Sequence, residues 1–260
     1  MFDDRKLLPI TVNDLRHTCT CRLRISMAKL LLIGFVHPPT CMVYSIIKVM
    51  ISDLEGSTLT HCNVLNIVPS LSAVIRAEQS LWVLNTWLHL PFRLLIIWLY
   101  CRYFKRRLPR SARLLRHLTV GLLIQNSLSC FPLAHLGHIA GPAAIHALIA
   151  LSVMLSGFGY MGTSLLCHQR FRREHMEPHE KLSLMLKRKL FLTSLGIQLV
   201  MWPLFMLHNQ LCIPLVYSLF SLCEYLLNLS IMGFLCTASL DFYPVYLCRH
   251  AQLGYYLTDI

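Results

Sequence analysis

His89 and Arg93 stand one helical turn apart in the apolar stretch LNTWLHLPFRLLIIWLY, and are the first residues here whose types point to chemistry. Residues four apart share a helix face. An arginine at the centre of a membrane helix costs about 3 kcal/mol on insertion scales, so it turns inward and finds a partner. Glu224 and Asn228 repeat the spacing in the last apolar stretch. At about 1.5 Å per residue, Arg93 lies roughly 18 Å and Glu224 roughly 15 Å from the starts of their segments, on the same side. The spacing predicts an Arg93–Glu224 pair with His89 and Asn228 adjoining. Such a pair either fixes helix order or serves a site, and both readings stay open. If Arg93 instead holds a lipid phosphate, for which a guanidinium is well shaped, Glu224 does not fully neutralise it.

Other polar groups sit in or beside apolar runs. Gln125 and Asn126 fall within one, His146 opens another, and His208 with Asn209 closes a third. With His61 and His89, these histidines are candidates to line one cavity, although a scattered histidine is more often structural than a ligand, and no metal site is expected. Ser70 and Ser72 beside Pro69 are nucleophiles only if a histidine approaches, and the expectation is that none does. The chain has no G-x-S-x-G, H-E-x-x-H, P-loop or His-x4-Asp pattern. His175 with Glu180 looks accidental, in a basic linker. Catalytic residues therefore stay unassigned, with His89, Arg93 and Glu224 as candidates. Arg93, His146, His208 and Asn228 are candidates for contact with lipid.

The elements that must position these residues follow from composition. The 260 residues are 55% hydrophobic and only 14% charged, against about 25% charged in soluble domains. Six apolar runs, about 27–51, 81–104, 117–136, 143–167, 189–208 and 213–240, approach the roughly 20 residues a membrane helix needs. The expected class is an all-α, multi-pass bundle of six spans: a cytosolic segment 1–26, one membrane domain 27–248 and a cytosolic tail 249–260. His37, Pro38 and Pro39 predict a kink in the first run. Residues 1–26 lack the cleavage site of a signal peptide, so that first run is read as an uncleaved anchor. The net charge of +12 falls in clusters at helix ends, unlike a nucleic-acid patch. All Lys and Arg except Lys48, Arg76 and Arg93 precede or open the first run, join the second and third or the fourth and fifth runs at or near their ends, or follow the sixth. That asymmetry places both termini in the cytosol. Cys62 and Cys212 then fall in loops on the oxidising side, where a disulfide and two unpaired thiols are both open readings. Cys19 and Cys21 read as inert, and the sequon Asn228-Leu229-Ser230 lies inside a span. Gly157, Gly159 and Gly162 are expected to let helices pack closely.

Cys62-Asn63, NIVPSLSAVI (66–75), LHLPFR (88–93), LHNQLC (207–212), VYSLF (216–220), Glu224-Tyr225, Thr237 and Asp241-Phe242 occur in one consistent order. In these the chain resembles the Frag/DRAM/Sfk family over about 25–250, and within it the branch of post-GPI-attachment factors. It departs from the pattern at Arg76-Ala77-Glu78, at Tyr160 after Gly159 and at Leu235, where histidine is expected at the last two, so it reads as a divergent paralogue. The resemblance implies glycosylphosphatidylinositol (GPI) anchor maturation in the Golgi or endoplasmic reticulum membrane. There a lyso-anchor regains an acyl chain, and anchored proteins reach the cell surface. It implies GPI-anchor lipids and GPI-anchored proteins as partners and no cofactor, and leaves open whether the chain transfers the acyl group or assists another enzyme. Non-enzymatic membrane organisers or regulators of the same family are the alternative.

Overall fold

The computed structural model describes residues 23–136, 143–170, 177–250 and 254–259. Cys19, Cys21, His175 and the loop 137–142 lie outside the described residues. Strand β1 (Leu23–Ser26) leads into helix α1 (Met27–Ser52), where the Ser26 hydroxyl accepts the Lys29 N–H as a cap. The helix continues through Pro38 and Pro39. Two short helices follow, α2 (Leu54–Thr58) and α3 (Leu71–Ala77), the latter capped by Ser70. Then come the long helices α4 (Gln79–Arg107), α5 (Arg113–Leu136), α6 (Ala143–Gln169), α7 (Pro178–Leu211) and α8 (Val216–Cys236). The short α9 (Ala238–Asp241) precedes strands β2 (Val245–His250) and β3 (Gly254–Asp259).

The six long helices form a ring in which each packs on its neighbour in sequence and α8 closes against α1. Their outer faces carry exposed leucine, isoleucine and tryptophan such as Ile33, Trp87, Leu148 and Leu199, the surface a hydrocarbon solvent favours. Five of the six are long and apolar enough to cross a membrane; α5 is the exception. Its 24 residues span about 36 Å, and its polar residues Asn126, Ser127 and Ser129 are buried against the ring. A second relationship makes α5 a crossing too. β1 pairs antiparallel with β2, and β2 with β3, so the chain enters α1 and leaves α8 at the same end. Only an even number of crossings does that. The fold is an all-α, multi-pass membrane bundle closed at one end by a small sheet.

The sheet is the main departure from expectation, since residues 249–260 read as a tail. A second departure is α7, which begins at Pro178 rather than near 189. Glu177 and Glu180 form a reciprocal capping box there, with Pro178 in the first turn. The sheet-side half of the ring is filled by Phe35, Tyr100, Phe104, Leu123, Met161 and Phe234. The other end is built differently, and it holds the site.

Candidate functional site: a polar chamber beneath a disulfide-tied strap

Residues 59–70 form a strap over the end of the ring away from the sheet, fastened by a disulfide, by hydrogen bonds and by the packing of Val68 on Met42, Leu71 and Ile75. Cys62 and Cys212 are joined by a disulfide, 150 residues apart in sequence with Cα atoms 5.3 Å apart. The Leu215 N–H donates to the Leu65 carbonyl (2.9 Å). The Ser218 hydroxyl accepts the N–H groups of Ile67 (2.9 Å) and Val68 (3.2 Å). Tyr225 donates its hydroxyl to the Pro69 carbonyl. Cys212 and Leu215 adopt left-handed backbone (φ 48° and 65°) to turn the chain from α7 into α8. Lys48, left over from the charge pattern, pairs with Glu78 at 2.7 Å and ties α1 to the start of α4 at this end.

The strap leads into α3, which sits over the ring against α1, α4 and α8. Below it lie two adjoining cavities of about 110 and 70 Å³. The larger is lined by His89, Arg93, Asn85 and Asn126, the smaller by Ser72 and Glu224, and Asn228 borders both. Arg93 and Glu224 therefore face one interior region, but they do not pair. Arg93 donates Nη1–H to the Asn126 side-chain oxygen (2.8 Å), and Asn126 donates in turn to the Val153 carbonyl (2.9 Å). Glu224 accepts the Leu71 N–H at 3.0 Å. The expected ion pair is replaced by two separate contacts: Asn126 of α5 takes the guanidinium, and the first residue of α3 holds the α8 carboxylate. Asn228 donates to the Glu224 carbonyl one turn back (2.9 Å).

The histidines do not share one cavity. His89 is buried in the chamber, edge-on to Phe35 (5.0 Å between ring centroids), with Nε2 unpartnered among the described residues. His208 and His61 pack edge to face beside the disulfide, and His208 Nε2 meets the Thr60 hydroxyl at 3.2 Å. Ligand atoms of His61, Cys62 and His208 lie within 4.8 Å of one another. The sulfur is committed to the disulfide, however, and a metal ligand must be a thiolate. His146, in the first turn of α6, lies 2.9 Å from the Ser72 hydroxyl through Nε2. The approach of a histidine to Ser72, against expectation, is thus present. Of the three glycines, Gly157 and Gly159 face α5: an added Cβ would lie 3.0 Å from Asn126 Nδ2 and 3.2 Å from the Leu122 side chain.

A second polar cluster, at the sheet end, was not expected, although Asp241 stands in one of the family-like motifs. Asp241 accepts from Lys187 Nζ (2.6 Å) and from the Tyr100 hydroxyl (2.6 Å), and His168 Nε2 lies 3.5 Å away. Lys187 also donates to Ser183 (2.5 Å). Glu180, taken as part of a basic linker, is buried and accepts from Arg107 (2.6 Å) and the Tyr103 hydroxyl (3.0 Å). The one available signal was the spacing of Glu180, Ser183 and Lys187 on one helix face, i, i+3 and i+7. Beside this cluster is a cavity of about 320 Å³ lined by Arg102, Arg106 and Arg107.

A ring of membrane helices enclosing a guanidinium bonded to a neutral amide, roofed by a disulfide-tied strap, defines a polytopic membrane protein built around an internal polar chamber rather than a solid bundle. The chain belongs to the Frag1/DRAM/Sfk1/Cwh43P N-terminal domain family, whose model matches residues 26–245. It is 34% identical over 241 residues to "Post-GPI attachment to proteins factor 2" of Drosophila pseudoobscura pseudoobscura, covering 92% of this chain and 91% of that one. The Drosophila melanogaster protein of the same name is 32% identical over 239 residues, with 91% and 93% covered. "Acyltransferase PGAP2" of Xenopus tropicalis is 31% identical over 207 residues, with 78% and 80% covered. No solved structure gives a significant match.

Proposed function

We propose that this protein acts on the lipid part of GPI anchors during their maturation, in the fatty-acid remodelling that returns an acyl chain to a lyso-anchor. The names of its relatives support the pathway. The observation that carries the site is Arg93, only 6% exposed and partnered by a neutral amide. A buried cation without a counter-charge is costly, and the phosphate of an inositol phospholipid supplies one in matching geometry. His89 and Asn228 border the space such a lipid would enter; His208 belongs to the strap above it.

The strap end faces the lumen of the Golgi or endoplasmic reticulum, and the sheet end, with both described ends of the chain, faces the cytosol. Two independent features favour this orientation. A disulfide persists on the oxidising side, and Arg102 to Arg116 with Arg170, Lys181 and Lys189 gather at the opposite end. The test is a cell lacking the protein, assayed for surface GPI-anchored proteins and for anchor acyl composition. Loss of surface protein and of the remodelled chain is expected, restored by the wild type and not by Arg93→Leu. Unchanged anchors in the null cell end the proposal.

A further inference from the structure

Eight serines and threonines described within the long helices return their hydroxyl protons to a carbonyl three or four residues back, among them Ser45, Ser127, Ser156, Thr163 and Ser221. That is the default for a hydroxyl with nothing else to do in a helix. Ser70 is committed as the cap of α3, accepting the Ala73 N–H at 3.2 Å. Ser72 does neither: its hydroxyl faces an imidazole from an element 74 residues further along. It also lines the smaller cavity, whose remaining walls include Met154, Met201, Leu227 and Ile231. A serine hydroxyl on an imidazole, opening into a cavity whose walls are mostly apolar with Glu224 and Asn228 among them, is a minimal arrangement for carrying an acyl group.

We propose that Ser72 is the nucleophile of an acyl transfer, with His146 as its base; this rests on the lipid-remodelling reading above. Ser72 Oγ attacks the carbonyl carbon of an acyl ester or thioester, and His146 Nε2 takes the hydroxyl proton. The donor's C–O or C–S bond breaks, and His146 returns the proton to the departing oxygen or sulfur. The free hydroxyl of the lyso-lipid then attacks the acyl-serine and gives its proton to His146. As the serine ester bond breaks, the proton returns to Ser72 Oγ. One ester bond forms for each acyl bond broken, no electrons change hands, and no water is consumed. Glu224 is a positioning residue: by holding the Leu71 N–H it fixes the turn that presents Ser72.

The acyl carbonyl is the shared chemistry of two donors, a bilayer phospholipid and a coenzyme A thioester. The experiment therefore offers the purified, disulfide-intact protein, with no lyso-lipid present, either phosphatidylcholine or palmitoyl-coenzyme A carrying a labelled acyl chain. Label is expected on the Ser72 peptide from one of the two, stable to neutral hydroxylamine as an oxyester is. Ser72→Cys should accept the label as a hydroxylamine-labile thioester, a change of adduct chemistry that a merely structural serine would not produce. His146→Ala should slow labelling by about 10²–10⁴-fold. Labelling that survives unchanged in Ser72→Ala, or no label from either donor, overturns the proposal. If the null cell nevertheless loses remodelled anchors, the dyad alone has failed; if its anchors are normal, the functional reading has failed with it.

Discussion

Lys187 and Asp241 meet at 2.6 Å with neither side chain exposed to solvent. The pair lies where α7, α9 and the sheet-end core converge, so its two charges are a condition of that packing. Removing one partner of a buried pair leaves the other uncompensated, at a cost of about 3–5 kcal/mol. Asp241→Asn and Lys187→Met should each lower the unfolding temperature in detergent sharply. The triple variant Lys187→Met/Asp241→Leu/Tyr100→Phe should recover much of the loss, because it removes the Tyr100 hydroxyl that Asp241→Leu alone would leave without its acceptor. Tyr100→Phe, which removes one donor to Asp241, should cost about 1.5–3 kcal/mol.

Arg93 bonds to an amide, and that choice has a measurable consequence. Asn126→Asp supplies the missing negative charge in place. The fold should be kept, while anchor reacylation measured in null cells should fall about tenfold, the worth of roughly 1.4 kcal/mol. The swap Arg93→Glu/Glu224→Arg should show no rescue: residues that share no contact add within about 0.5 kcal/mol.

The disulfide restrains a long stretch of chain. Cys62→Ser, Cys212→Ser and the double variant should destabilise to a similar extent, by about 2–4 kcal/mol, read as thermal unfolding in detergent. Equal losses in the three variants, with altered mobility on non-reducing gels, identify the bridge rather than either thiol as the stabilising element.

Gly34 is a point of helix contact that no other residue fits. A Cβ there would lie 2.2 Å from the Phe92 ring, so α1 approaches α4 only because the side chain is absent. Gly34→Ala should destabilise by about 1–3 kcal/mol through overpacking. Gly34→Ala/Phe92→Leu should recover part of that, and Gly196→Ala, where a Cβ meets nothing within 4 Å, should not destabilise.

The long helices were legible because membrane spans announce themselves by composition alone. What lay hidden was rotational: which inward face meets which. Nothing along α4 distinguishes Asn126 from Glu224 as the partner of Arg93, since that depends on how α5 is turned and on the pull of the Leu71 N–H on the carboxylate. Lys187 and Glu180 looked solvated because their partners, Asp241 and Arg107, come from other segments of the chain. Ser72 and His146 are likewise joined only through the seating of α3 on the ring. The sheet was missed because β1 has only four residues and the six of β2, VYLCRH, show no apolar–polar alternation.

The ring carries two clasps, the cystine at one rim and the β1–β2 pairing at the other, and chain order dictates when each can close. Cys212 precedes α8, so during synthesis both sulfurs are made before the sixth crossing exists. The four central helices can then be locked into a covalent loop while β1 still waits at the opposite membrane face for a strand that the ribosome has yet to deliver. Insertion of the final helix between α7 and α1 is thereby also the event that completes the chamber wall bearing Glu224 and Asn228. Until then the chamber stays open on that side.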